Sequence, residues 1–130
     1  MSILETGRLS LRRLETADAP FIVELLNDPA FIRFIADRGV RTLEDARAYL
    51  QAGPLASYAQ FGFGLCHVSL KADATPIGMC GLLKREVLED ADIGFALLPQ
   101  FRSSGYAFEI ASALLAQTRQ LYGLQRVVAI

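Results

Sequence analysis

Hydrophobic and polar positions change rhythm several times along this chain of 130 residues. Over residues 9–14 they partly alternate, with Leu9 and Leu11 facing one way and Ser10 and Arg12 the other, which predicts a half-exposed strand. The period then lengthens. Asp18 stands at an N-cap position with Pro20 in the first turn, and Phe21, Ile22, Leu25 and Leu26 recur at helical spacing until Asn27-Asp28-Pro29 ends the run. Phe31, Ile32, Phe34 and Ile35 suggest a second, brief helix broken by Gly39. Thr42 followed three residues later by Asp45 is a capping-box pattern, and Ala46, Tyr49 and Leu50 continue it as a helical face that breaks or bends at Gly53-Pro54. Residues 55–60 carry no decisive period.

From Phe61 the pattern turns to sheet. Residues 63–70 read as a strand, 71–76 as a turn, and 77–83 as the antiparallel partner, with Gly78 and Gly81 marking close approach by another backbone. A charged connection, 84–90, leads to a further strand at 92–98. The longest helical stripe follows, from Ala107 through Ile110, Ala111, Leu114, Leu115, Thr118 and Leu121 to Tyr122, with Gly123 as a natural C′ residue and 126–130 as a last strand. We expect an α/β (α+β) sheet flanked by helices in one domain over 1–130, closing on a right-handed parallel β-helix-β crossover.

Composition narrows the class of function. Apolar residues are 52% and charged residues 21%, which suits a packed globular domain. A net charge of −1 argues against nucleic acid as a partner. No apolar run approaches membrane-spanning length, and the N-terminal segment has no signal-peptide pattern, so neither membrane nor export is expected. The two cysteines, Cys66 and Cys80, are too few for a disulfide framework or a four-ligand zinc site, and both sit in strand-like stretches as buried reduced thiols. The expectation is a cytoplasmic protein without a metal.

Chemistry concentrates at residues 95–111, where an apolar run, a short loop and a helix succeed one another. Loop amides and the first free N–H groups of a helix converge there on any bound anion. A P-loop needs Gly-Lys-Ser/Thr and a dinucleotide fingerprint needs G-x-G-x-x-G; neither occurs. What stands in place is Arg102-Ser103-Ser104-Gly105-Tyr106-Ala107, or R-x-x-G-x-A. Gly105 lets a phosphate approach the backbone, Ser103 and Ser104 offer caps or hydroxyl donors, Arg102 offers charge-assisted bonds, and Ala107 keeps the first turn small. Tyr106 is expected to pack beside the ligand.

This motif resembles the acetyl-CoA loop, Q/R-x-x-G-x-G/A, of the Gcn5-related N-acetyltransferase (GNAT) superfamily. The opening Thr6-Gly7-Arg8-Leu9-Ser10-Leu11-Arg12 with Asp18-Ala19 downstream, the strand Ala91-Asp92-Ile93-Gly94-Phe95 and the hairpin Thr75-Pro76-Ile77-Gly78-Met79 are similar to the branch containing the ribosomal-protein N-terminal acetyltransferases. The resemblance implies a GNAT-like fold with a mixed, mostly antiparallel sheet, and acetyl transfer from acetyl-CoA to a primary amine, on a protein N-terminus or a small molecule. It also implies that backbone amides at Leu97 and Leu98 serve the thioester carbonyl, and that the strand bearing them splays from the next to admit the pantetheine arm. A carboxylate in this region then acts on the amine, and Asp92 and Glu89 are the candidates. Each can equally be a solvated strand-end residue. His67, the one histidine, is a weaker candidate and suits a structural role better. Phe31, Phe34 and Tyr49 read as core residues in preference to an acceptor pocket.

The family pattern continues past the strand at 127–130 with a helix and two strands that commonly bring an Asn to the cofactor and a Tyr or Ser to the leaving thiolate. Compared with that pattern the chain reads as C-terminally truncated, which leaves the apolar last strand as an open edge for a homo-oligomer. The alternative is a non-catalytic CoA-binding or self-associating module.

Overall fold

The computed structural model describes residues 2–34, 38–83, 91–122 and 127–128. Strand β1 (Leu4–Glu5) pairs with β2 (Leu9–Arg13), Leu4 opposite Leu11. Two residues are too few to alternate visibly, so β1 left no signal in the pattern. A 3-10 turn (Thr16–Asp18) then enters α1 (Ala19–Leu26). Asp18 occupies the N-cap position of α1, but its carboxylate is spent elsewhere. It accepts two bonds from the Arg12 guanidinium at 2.9 and 2.8 Å and one from the Glu15 amide at 2.8 Å.

Pro29 ends one helix and opens the next, α2 (Pro29–Phe34), where Asp28 accepts the Phe31 N–H at 3.1 Å. The expected capping box begins α3 (Leu43–Leu50): Thr42 accepts from the Asp45 amide at 3.0 Å, and the Asp45 carboxylate accepts the Thr42 N–H at 3.2 Å. At Gly53-Pro54 the helix does not stop. It widens into a π-turn (Gln51–Leu55) that accommodates Pro54, a residue with no N–H for the ladder, and runs on as α4 (Ala56–Phe61) to a left-handed Gly62 at φ 80°.

Strands β3 (Leu65–Leu70), β4 (Pro76–Leu83) and β5 (Ala91–Leu97) precede α5 (Tyr106–Tyr122) and β6 (Val127–Val128). The sheet runs β1-β2-β3-β4-β5-β6, with antiparallel neighbours except for the parallel pair β5–β6. Gly78 and Gly81 are required by sterics. A Cβ on either would lie 2.1 Å from a backbone oxygen, of Ala96 and Gly64 respectively.

Helices cover both faces of the sheet. Leu9, Val68, Ile77, Leu97, Ile110 and Leu114 pack in the cluster that contains α5. Leu14, Ile22, Leu25, Leu50, Met79 and Leu98 pack with α1–α3 in the other. Leu115, expected on the buried stripe of α5, is 42% exposed; the stripe that meets the sheet runs through Ala107, Ile110 and Leu114. Cys66 and Cys80 lie opposite each other on β3 and β4 as buried free thiols, and burial pushes them up to about 11 and about 12.

Candidate active site

A pocket of about 440 Å³ opens at the C-terminal half of β5, lined by Ala30, Phe31, Phe95, Ala96, Leu97, Arg102 and Ala107. Its position follows from how β5 is paired. On one side β5 is laddered to β4 from Asp92 to Leu97. On the other, β6 reaches only Ala91 and Asp92, so among the described residues no strand borders β5 beyond Asp92 on that side.

The register decides which amides face this opening. The Leu98 N–H donates to the Ile77 carbonyl at 2.8 Å and is consumed by the β4 ladder. Antiparallel ladders use alternate residues, so the amides of Leu97 and Phe95 point toward the open edge. Of the two amides expected to serve a carbonyl, that of Leu97 faces the open edge and that of Leu98 does not. Phe95, not anticipated, presents the second. Counting alternation back from Leu98 could have found it had the β4 register been known.

Beyond β5 a 3-10 turn (Pro99–Phe101) leads into the loop. Gly105 adopts φ 78°, and a Cβ there would meet nothing but Arg8 Nη2, at 3.7 Å. Its carbonyl accepts the first intrahelical bond of α5, from Glu109 N at 3.0 Å, which leaves the amides of Tyr106, Ala107 and Phe108 ahead of the ladder. Ser103 and Ser104 are exposed and neither caps the helix; Gly105 takes that position.

Arg102 is tied down on the protein side while its side chain stays 38% exposed. Its Nε donates to the Leu97 carbonyl at 3.0 Å and Nη2 to Asp28, whose side chain is 6% exposed. Burial alone would raise the Asp28 carboxyl, but Arg102 and the amides of Phe31 and Ala30 outweigh it and hold it below its ordinary value. The guanidinium thus clasps the start of α2 to the end of β5 across the pocket mouth. Sequence reasoning missed a second cation, Arg8. It lies 4.4 Å over the Tyr106 ring, donates to Glu109 at 2.7 Å and faces the Gly105 backbone. Tyr106 does pack at the loop, between Arg8 and Phe101.

Asp92 is 1% exposed, between Leu83 on β4 and Val128 on β6. By alternation it shares the α1–α3 face of β5 with Gly94 and Ala96. Glu89 lies outside the described residues. His67 is 4% exposed, edge-on to Phe21 at 5.4 Å, with Nδ1 unpartnered among the described residues; burial lowers its pKa and keeps it neutral. That is a core histidine. Phe31 is buried and also lines the pocket, Tyr49 lines a second cavity, and the Phe34 side chain lies outside the description.

Known proteins place this geometry. A family model described as the acetyltransferase (GNAT) domain matches residues 8–130. An uncharacterized N-acetyltransferase of Bacillus subtilis, YnaD, is 28% identical over 97% of this chain and 71% of its own length. A crystal structure of an acetyltransferase from Agrobacterium tumefaciens superposes with a TM-score of 0.76 at 25% identity, over 95% of this chain and 70% of that one. A ribosomal α-N-protein acetyltransferase, RimL, solved in complex with coenzyme A, shares the fold with a TM-score of 0.78 at 17% identity, over 99% of this chain and 73% of its own. Because that family model spans residues 8–130, the chain belongs to the GNAT acetyltransferase family, whose members transfer acetyl groups from acetyl-CoA.

Proposed function

We propose that the chain, as a single domain over residues 1–130, transfers an acetyl group from acetyl-CoA to a primary amine. The observation that carries this is the free edge of β5, where the Leu97 and Phe95 amides face a pocket that leads directly to the Gly105 loop. The backbone of residues 103–107 would hold the pyrophosphate, with Arg8 supplying charge beside Gly105. Bound acetyl-CoA supplies the thioester. The Leu97 and Phe95 amides hold its carbonyl oxygen as negative charge develops there, and they need no reorganisation because the strand fixes them. Asp92, directly or through water, takes the proton that the amine must lose; Glu89 is the second candidate. The buried free thiols fit a reducing compartment, and we place the protein in the cytoplasm. We keep self-association through the outer edge of β6 as part of the proposal.

The test is thiol release from acetyl-CoA with a panel of amines and N-terminal peptides, alongside calorimetry with CoA. Arg8→Gln should weaken CoA binding about tenfold, as expected for one charge-assisted contact, and should weaken dephospho-CoA by the same factor, because that form keeps the pyrophosphate. Asp92→Asn should reduce turnover and spare CoA affinity. Binding of CoA without release against any amine would leave a binding module and remove the enzyme.

A further inference from the structure

A second cavity, of about 380 Å³, lies on the α1–α3 face of the sheet. Its lining includes Arg38, Tyr49, Ser57, Gln60, Leu65 and Leu83. Leu65 and Leu83 form its floor and flank Gly94 of β5: a Cβ on Gly94 would lie 3.0 Å from Leu83 Cδ1 and 3.7 Å from Leu65 Cδ2. Gly94 is two residues from Ala96, which lines the first pocket. Two residues along a strand span about 7 Å. On the same face, two residues in the other direction, is Asp92. Gly94, beside the candidate base, therefore lies between residues that line the two cavities, with Leu83 packed over it.

The wall of the second cavity is the widened turn over Gln51–Leu55, which contributes Ala52, Gly53 and Pro54. Ser57 donates to the Phe63 carbonyl, but two other polar groups of the lining are without a bond among the described residues. Arg38 is exposed and has no ion pair or hydrogen bond among the described residues. Tyr49 is half-buried, its hydroxyl likewise without a bond there, and it is close enough to Arg38 for that charge to act on it. Among the described residues no carboxylate lines this cavity; Asp45 lines an adjoining cavity that shares Arg38 and Tyr49. A cation and a hydroxyl lining one chamber of mixed polar and apolar character form a receptor for a carboxylate.

We infer that this cavity is the acceptor subsite and that it selects amines carrying a carboxylate, held by Arg38 and Tyr49 while the amine reaches Gly94 and Asp92. This deepens the acetyl-transfer reading and rests on it. The carboxylate could be the α-carboxylate of a free amino acid or an acidic side chain near a peptide N-terminus.

The test is equilibrium binding to CoA-saturated protein, so that it does not depend on turnover. The twenty amino acids, their amides and N-terminal dipeptide amides with acidic or neutral second residues are titrated against wild type and Arg38→Met. At least one carboxylate-bearing probe should bind about tenfold tighter than its neutral counterpart, the scale of one charge-assisted contact, and Arg38→Met should abolish that preference while CoA affinity stays unchanged. Tyr49→Phe should weaken it in part. Preference among free amino acids assigns the α-carboxylate, and preference only among acidic dipeptides assigns the side chain. No preference for any carboxylate, or one that survives Arg38→Met, overturns the inference. Failure to bind CoA at all strikes the acetyl-transfer reading instead.

Discussion

At Gly105 the backbone turns through φ 78° with open space where a side chain would stand. Both facts restrict the position to glycine, for different reasons: an L-residue is strained at that angle, and a Cβ would occupy the approach of a phosphate. Gly105→Ala should cost about 1–2 kcal/mol of stability from the left-handed conformation and weaken CoA binding about tenfold by displacing one hydrogen bond. Urea titration and calorimetry separate the two. Arg102 shows how residue type can be legible and role not. The motif marks it as a phosphate cation, yet its guanidinium is shared between Leu97 O and a buried Asp28, which lies 74 positions away in the chain. Arg102→Met should therefore destabilise by about 1–3 kcal/mol, because it strands a buried carboxylate. The loss should shrink as pH falls toward the ordinary carboxylate range. The Asp28 carboxyl is depressed in the fold, so its contribution is present above that range and vanishes as it protonates.

Among the elements, the strands are pinned by glycines as much as by apolar faces. Gly81→Ala would force a Cβ to within 2.1 Å of the Gly64 oxygen, where only backbone can yield. We expect about 2–3 kcal/mol of destabilisation, read as a lower urea midpoint, whereas Gly53→Ala, with open space around it, should change little. Local chemistry made most elements readable: the Thr42–Asp45 box, the Asn27-Asp28-Pro29 stop and the alternating strands all appear close to where their patterns fall. It failed where tertiary contact competes. Asp18 looked like a cap because its spacing is right, but Arg12 on the neighbouring strand offers two charge-assisted bonds against one neutral amide. Pro54 looked like a break because a regular helix cannot hold it, and a π-turn can.

For the whole molecule, pH acts through His67. Burial depresses its pKa below 6.5 in the fold, while an unfolded chain leaves it near that value. The unfolded state then binds the extra proton, so stability falls as pH drops through about 6.5 and below. Chemical denaturation at pH 7.5 and about pH 5.5 should show this loss, and His67→Leu, which removes both the titration and the unpartnered Nδ1, should flatten it. A profile unchanged by the substitution would place the acid sensitivity elsewhere.

Sequence alone determined the order of most elements (though not β1 or α4), the motif at residues 102–107 and, through them, the family. These depend on short-range rules: side-chain period, capping residues, and a glycine where a loop meets a helix. Only the tertiary structure decided which groups face the site. Whether the Leu98 amide is free depends on the register of β4. That Arg8 stands beside Gly105 depends on β2 lying within reach of α5, and that Arg38 and Tyr49 share a cavity with Leu83 depends on how α3 and α4 lie over the sheet. Such pairings join residues tens of positions apart, and no local pattern encodes them, because their energy appears only when the chain has closed on itself.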